Sequence, residues 1–143
     1  MIHGFDTSFL VAAEVIEHPS RQAALAKLHA LSEEGDEFAI APQVLTEFIH
    51  AVTDSKRFIT PLTMNAARDV AQEWWTAKEI LQVTPGAEAV AQFFAWHRSH
   101  QLGRKRLLDT LLAATYRCAG VQSILTLNAA DFAVLGGFQC ITP

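Results

Sequence analysis

The sequence has few cysteines and none of the common cofactor motifs. Its two cysteines, Cys118 and Cys140, form no CxxC pair and stand apart from any ligand cluster, which predicts buried, reduced thiols. No histidine or cysteine has the spacing of a zinc site. Neither a Walker A loop nor a GxGxxG motif is present, so nucleotide-cofactor chemistry has no support in the sequence.

Long apolar runs and an excess of positive charge are also missing. No apolar run approaches the length of a transmembrane helix, and the first residues lack the features of a signal peptide, which predicts a cytoplasmic protein. The formal net charge is −4 at pH 7, so contacts with nucleic acid must come from a local basic patch. With 143 residues, 50% of them hydrophobic, residues 1–143 are expected to form a single domain.

Short apolar runs alternate with helical patterns along the chain. Strands are predicted in the first residues and at 38–41, 80–83, 123–127 and 138–141. Helices are predicted near 8–16 and 21–31, from 42, from 63, and at 87–100, 107–119 and 129–135. Parallel strands need crossover connections, so this alternation predicts an α/β fold. We expect a three-layer α/β/α sandwich with a mostly parallel central sheet of four to five strands.

Four acids stand out from the remaining acidic residues, which lie in polar company such as the turn at 33–37. Asp6 ends the first strand, Glu47 lies in an apolar helical stripe, Asp109 interrupts the run LLDTLL, and Asp131 follows the fourth strand. Each has a structural explanation when taken singly. Asp6 and Asp131 could cap helices, Asp109 could cap a helix or pair with Arg106, and Glu47 could pair with an arginine. In an α/β fold, however, the strand ends and adjoining helices share one edge of the sheet.

A cluster of such carboxylates would need a cation. Carboxylates within about 4 to 6 Å of one another repel, and oxygen ligands favour Mg²⁺ or Mn²⁺. A metal in an all-carboxylate site suits phosphodiester hydrolysis, because it offsets phosphate charge and acidifies water. A basic stretch that precedes Asp109 could hold a phosphate backbone, although a solubilising loop explains it equally well. Its members are Arg98, His100, Arg104, Lys105 and Arg106.

Four segments, taken in order, resemble the motifs of the PIN-domain family, and within it the VapC-type toxin ribonucleases of toxin-antitoxin pairs. They are FDTSFL at 5–10, VLTEFIH at 44–50, RLLDTLLAATY at 106–116 and LTLNAADF at 125–132, followed by Gly137 and Pro143. No single segment is specific, but the ordered set covers nearly the whole chain.

The resemblance implies a fold, an activity and roles for particular residues. The metal ligands that it implies for Mg²⁺ or Mn²⁺ are Asp6, Asp109 and Asp131. Glu47 would position water or a second ion, and Thr7 and Asn128 would support the site by hydrogen bonds. The resemblance further implies an RNA substrate, a small antitoxin as partner, and a homodimer.

Three hypotheses follow from the sequence. The first is a metal-dependent endoribonuclease that acts as a toxin, with Asp6, Glu47, Asp109 and Asp131 as its catalytic acids. The second is a catalytically silent PIN-like module that binds RNA or protein. The third is a set of acids that only cap helices or pair with bases, in which case single Asp→Asn changes would lower stability without a shared effect on metal binding.

Overall fold

The short apolar segments form a five-stranded central sheet in the computed structural model, which describes all residues from Met1 to Pro143. Its strands are β1 (Ile2–Phe5), β2 (Glu37–Ile40), β3 (Ile80–Gln82), β4 (Ser123–Leu125) and β5 (Gln139–Ile141). Every pairing is parallel, in the order β3-β2-β1-β4-β5. The predicted parallel sheet is confirmed, and β1 lies at its centre.

Seven helices connect the strands. They are α1 (Thr7–Glu14), α2 (Arg21–Glu33), α3 (Pro42–Val52), α4 (Met64–Thr76), α5 (Ala87–Ser99), α6 (Leu107–Cys118) and α7 (Ala129–Ala133), with a 3₁₀ turn at Arg104–Arg106. The strand order reverses at β1, so right-handed crossovers place α1 to α4 on one face and α5 and α6 on the other. The α/β/α layering expected from the alternation is confirmed. No helix combines the length and the apolar character that a membrane crossing requires.

Helix boundaries follow local signals in the sequence. Pro42 occupies the first turn of α3, where its missing N–H costs no hydrogen bond. Thr63 caps α4, because its Oγ1 accepts a hydrogen bond from the backbone N–H of Ala66 at 3.1 Å. The cysteines depart from the prediction: both are free, but Cys118 is exposed at the end of α6 and Cys140 is half-buried.

Two polar residues at the amino ends of the strands are buried together. His3 is 1% exposed, and its two ring nitrogens contact the hydroxyl of Ser123 and the carboxylate of Asp36, the latter at 2.8 Å. The hydrogen bond from His3 lowers the pKa of Asp36. The expectation that Asp36 belongs to a solvated turn is therefore wrong. Its carboxylate satisfies Nε2 of the buried His3, while the hydroxyl of Ser123 satisfies Nδ1.

The central strand packs closely against α6 at Gly4. Tyr116 of α6 is fully buried, and its hydroxyl donates to the backbone oxygen of Phe5 at 2.6 Å. A Cβ atom at Gly4 would lie 2.6 Å from the ring carbons of Tyr116. The hydroxyl is fixed on Phe5 and the ring is enclosed, so Tyr116 has little room to withdraw. Glycine at this position therefore allows β1 and α6 to meet.

Gly4→Ala is expected to destabilise the fold by about 1 to 3 kcal/mol, the usual cost of overpacking a core. Chemical denaturation measures the change in the free energy of unfolding. Gly103→Ala is the matched control, because Gly103 has a negative φ and an added Cβ there meets no atom within 4 Å. Equal stability of the Gly4→Ala and Gly103→Ala variants would contradict the close packing against Tyr116.

Candidate functional site

Two polar residues meet where β1 and β4 end side by side. Phe5 pairs with Leu125 in the parallel register, so the next residues, Asp6 and Thr126, are neighbours at the carboxyl edge of the sheet. The backbone N–H of Asp6 donates to the oxygen of Leu125 at 3.0 Å. Asp6 precedes α1, but its side chain makes no capping hydrogen bond. The cap explanation therefore does not account for this carboxylate.

Hydroxyl groups fix the orientation of the Asp6 carboxylate. Its Oδ2 accepts from the Oγ of Ser8 at 2.6 Å and from the Oγ1 of Thr126 at 2.8 Å. Asp6 is only 6% exposed, and its Oδ1 accepts no hydrogen bond from the protein. One oxygen is thus fixed by two donors, and the other has no hydrogen-bond partner in the protein.

Three of the four singled-out acids line one cavity of about 230 Å³ at this edge, and none of the lining residues is apolar. The lining consists of Asp6, Thr7, Ser8, Glu47, Arg57, Asp109 and Asn128. Asp6 comes from the end of β1, Glu47 from α3 and Asp109 from the first turn of α6. The fold therefore brings together acids that are distant in sequence, as the α/β reading predicts.

The carboxylates disfavour one another's charge. Burial, followed in order by the negative charges of Asp6, Asp131 and Glu47, raises the pKa of Asp109 to about 6 against an opposing effect of Arg106. Burial also raises the pKa of Glu47, with Asp6 acting in the same direction and a hydrogen bond from Thr7 opposing it. The cavity therefore carries more negative charge than its surroundings offset.

The fourth acid, Asp131, lies on α7 beside the cavity rather than in its lining. Its carboxylate forms an ion pair with the guanidinium of Arg106, and each side chain is 33% exposed. The possible pair between Asp109 and Arg106 is not formed, because Arg106 turns to Asp131 instead. Asp131 still influences the site, since its charge raises the pKa of Asp109.

The two predicted supporting residues both line the cavity. The Oγ1 of Thr7 donates to Oε2 of Glu47 at 3.0 Å, which fixes the orientation of that carboxylate. Asn128 lines the cavity, and its backbone N–H donates to the Oγ1 of Thr126 at 2.9 Å.

Three further residues at the site were not among the predicted site residues. Ser8 and Thr126 orient Asp6, and Arg57 lines the cavity. Ser8 and Thr126 carry a usable signal, because one follows Asp6 by two positions and the other follows the neighbouring strand. Arg57 lies in the irregular segment between α3 and α4, for which the sequence offers no comparable signal.

The predicted basic stretch lies outside the cavity. Arg98 is exposed at the end of α5, Arg104 and Lys105 are exposed in the 3₁₀ turn, and Arg106 is paired with Asp131. None of these four residues lines the acidic cavity. Their roles in RNA binding stay predictions.

The donor set fits a hard divalent cation. Residues with carboxylate, hydroxyl and amide groups line the cavity, and burial together with the neighbouring carboxylates raises the pKa of Asp109, a cost of ionisation that such a cation would offset. As they stand, no three His, Cys, Asp or Glu side chains lie close enough together to hold a metal ion. The ion pair with Arg106 engages Oδ1 of Asp131, so a metal ion at this oxygen would have to displace Arg106.

The fold and the cavity define an α/β protein that gathers carboxylates at the carboxyl edge of a parallel sheet, where open α/β folds bind ligands. The model of the PIN domain family matches residues 5–136, and the chain therefore belongs to the PIN domain family. The family expected from the four ordered segments is confirmed. No curated protein sequence matches the chain significantly.

Several solved structures share this fold over nearly their whole length. VapC20 of Mycobacterium tuberculosis, described as a sarcin-ricin loop cleaving toxin, is 18% identical with a TM-score of 0.74, and 99% of each chain is covered. VapBC2 from Rickettsia felis, bound to a promoter DNA fragment, is 17% identical with a TM-score of 0.71, covering 99% of this chain and 98% of that one. A toxin-antitoxin complex from Klebsiella pneumoniae is 18% identical with a TM-score of 0.66, covering 99% and 97%. At these identities the similarity establishes the fold.

Proposed function

We propose that this protein is a metal-dependent endoribonuclease that hydrolyses RNA phosphodiester bonds and acts as the toxin of a type II toxin-antitoxin pair. The observation that carries the proposal is the cavity lined by Asp6, Glu47 and Asp109, which has no apolar lining residue and lies at the carboxyl edge of the sheet of a PIN domain. The likeness to structures described as VapC and toxin-antitoxin proteins supports the assignment to this branch of the family.

Asp6 and Asp109 would hold Mg²⁺ or Mn²⁺, with Asp131 contributing after release from Arg106. The free Oδ1 of Asp6 supports this role, because the other oxygen is already held by Ser8 and Thr126. When bound, the ion would offset charge on the phosphate and lower the pKa of water at the site. The electrostatic strain on Asp109 supports the need for a cation here, since an ion would stabilise its charged form.

Glu47 would orient the attacking water and accept its proton. Its pKa is raised by burial and by Asp6, which makes its carboxylate a better proton acceptor than an exposed glutamate. The hydrogen bond from Thr7 at 3.0 Å would hold that carboxylate facing the cavity. Asn128 would donate a hydrogen bond from the cavity wall. Together these residues would hold a base at the site where water attacks the phosphate.

The proposed toxin function also implies binding partners for this protein. A small antitoxin protein would bind the toxin, as the structures described as toxin-antitoxin complexes suggest by their likeness. We also propose that the protein forms a homodimer. Outside the cavity, Arg98, Arg104 and Lys105 would attract the RNA backbone, because their exposed charges lie on the same chain segment that leads into Asp109.

Incubation of purified protein with single-stranded RNA tests the proposal. Cleavage is expected in Mg²⁺ or Mn²⁺ and not in EDTA, and denaturing gels would show internal cuts in a substrate blocked at both ends. A silent RNA-binding module would instead shift the mobility of RNA equally well in EDTA and leave it intact in every cation. That outcome would exclude the nuclease and favour the binding module.

A further inference from the structure

The acidic cavity contains one cationic lining residue, Arg57, from the segment between α3 and α4. None of the basic residues predicted to contact RNA reaches this lining. Arg57 shares the cavity with Asp6, Glu47 and Asp109, yet its guanidinium forms no ion pair with any carboxylate in the structure. Arg57 therefore lies at the site without forming an ion pair with any of the acids.

The segment that carries Arg57 is held in place by hydrogen bonds. The carboxylate of Glu17 accepts from the backbone N–H groups of Ile59 at 3.0 Å and Thr60 at 2.9 Å, and also from the Thr60 hydroxyl at 3.2 Å. These bonds lower the pKa of Glu17, which keeps it in the accepting, charged form. On the other side, the N–H of Arg57 donates to the backbone oxygen of Asp54 at 3.1 Å. Both flanks of Arg57 are thereby fixed.

The guanidinium itself rests on an aromatic ring. Its central carbon lies 5.7 Å from the centroid of the Phe58 ring, within the range of a cation-π contact. A contact of this kind uses the charge of the guanidinium and occupies none of its N–H donors. A planar fork of free donors beside a cavity is suited to bind a phosphate through two parallel hydrogen bonds.

We propose that Arg57 binds a backbone phosphate of the RNA at the cavity, on the side of α3 that also carries Glu47. The proposal rests on the proposed ribonuclease function, because it names a residue that holds the substrate of that site. The carboxylates repel a phosphate, and Arg57 is the one cationic residue in the lining that would attract it. In this role Arg57 acts on substrate binding and leaves the metal ligands unchanged.

Binding of a fluorescein-labelled single-stranded RNA, followed by anisotropy in Ca²⁺ with its integrity checked on gels, tests the proposal. Arg57→Ala is expected to weaken RNA binding about ten-fold, and Arg57→Lys by less, because lysine keeps the charge but loses the fork. The slope of log affinity against log salt is expected to fall by about 0.7, the value of one phosphate contact on a single strand. Calorimetric titration with Mn²⁺ is expected to show no loss of metal affinity in either variant.

Lys56→Ala is the matched control, because Lys56 is the exposed neighbour on the same segment, carries the same charge and does not line the cavity. It is expected to change RNA binding less than about two-fold. Equal losses in the Lys56→Ala and Arg57→Ala variants, or unchanged RNA binding in Arg57→Ala, would overturn the proposal. If the wild-type protein binds RNA but cleaves none in Mn²⁺, the ribonuclease proposal fails, and the same titrations still decide whether Arg57 contacts a phosphate.

Discussion

Asp109→Asn is expected to abolish RNA cleavage and to weaken Mn²⁺ binding strongly, while making the metal-free protein more stable at neutral pH. Burial and the charges of Asp6, Asp131 and Glu47 all disfavour the ionised form of Asp109 and raise its pKa to about 6. An uncharged amide of the same shape removes that repulsion. It also removes the negative charge that the proposed metal site requires.

The expected loss of RNA cleavage is much larger than the expected gain in stability. Loss of a charged ligand is expected to reduce cleavage at least ~100-fold, since metal stabilisation of charge is worth several kcal/mol and each ~1.4 kcal/mol is a factor of ten. The gain in stability is expected to be about 1 kcal/mol, because Asp109 is only partly buried and solvent screens its repulsion. Thermal unfolding in EDTA, Mn²⁺ calorimetry and a cleavage assay measure the three quantities.

The stability gain should depend on pH with a definite sign. The folded-state pKa of Asp109, about 6, lies above its ordinary value of 3.8, so folding favours the protonated carboxyl. The stability that the protonated Asp109 contributes is therefore fully present below pH 3.8 and is lost as the pH rises through about 6. Asp109→Asn should exceed the wild type in stability near about pH 7.5, and the difference should shrink near about pH 5. A difference that is the same at both pH values would contradict the repulsion.

Asp69→Asn provides the matched control for this variant. Asp69 is exposed on α4 and is not among the charges that act on Asp109, so the same chemical change there removes no repulsion at the site. Stability should change by less than about 0.5 kcal/mol, as is usual for surface substitutions, and Mn²⁺ binding should not change. If Asp109→Asn behaved like Asp69→Asn in all three measurements, the metal-site assignment would be wrong.

The sequence predicts the architecture because its signals are local. Apolar runs at 38–41 and 123–127 are short and bounded by turns, and the helical stripes between them leave only a crossover topology. The meeting of Asp6 with Glu47 and Asp109 follows from that topology, since residues at the carboxyl ends of parallel strands and in adjoining helices share one edge. The topology thus anticipates three of the four acids in the lining, but it does not show that Asp131 lies beside the cavity and pairs with Arg106.

The sequence does not predict which side chains pair with one another, because these contacts depend on side-chain geometry. Arg106 is three residues from Asp109 in sequence, yet it pairs with Asp131, because the 3₁₀ turn directs its side chain toward α7. Asp36 belongs to a charged run but contacts the buried His3 across two strands. Arg57 lines the cavity from a loop whose following residues are held by Glu17. Each contact depends on the path of a loop, for which hydrophobic periodicity carries no information.

Thr126→Val is expected to weaken Mn²⁺ binding about 10- to 100-fold, although Thr126 is not proposed to touch the metal. The Oγ1 of Thr126 donates to Oδ2 of Asp6 at 2.8 Å and accepts from the N–H of Asn128 at 2.9 Å. Valine has nearly the same shape but provides neither interaction. The carboxylate of Asp6 would lose one of its two orienting donors, and loss of such a support to a ligand typically has this effect on affinity.

A measurement of stability alone would not distinguish the role of Thr126 in orienting Asp6 from a purely structural role. Thr126 is fully buried, and valine would leave the N–H of Asn128 without its partner, so a cost of about 1 to 3 kcal/mol is expected. Thr126→Ser keeps the hydroxyl and should restore Mn²⁺ affinity even if the lost methyl group costs stability.

Thr115→Val serves as a structural control distant from the cavity, because the buried Thr115 hydroxyl donates only to the backbone oxygen of Leu111 within α6, at 2.8 Å. That variant should change the free energy of unfolding without changing Mn²⁺ affinity. If Thr126→Val affected only stability, as Thr115→Val should, then Thr126 would be a core residue and the orientation of Asp6 would depend on Ser8 alone. A loss of Mn²⁺ affinity that serine rescues would instead show that a hydroxyl directly after β4 prepares a carboxylate directly after β1 to bind the ion.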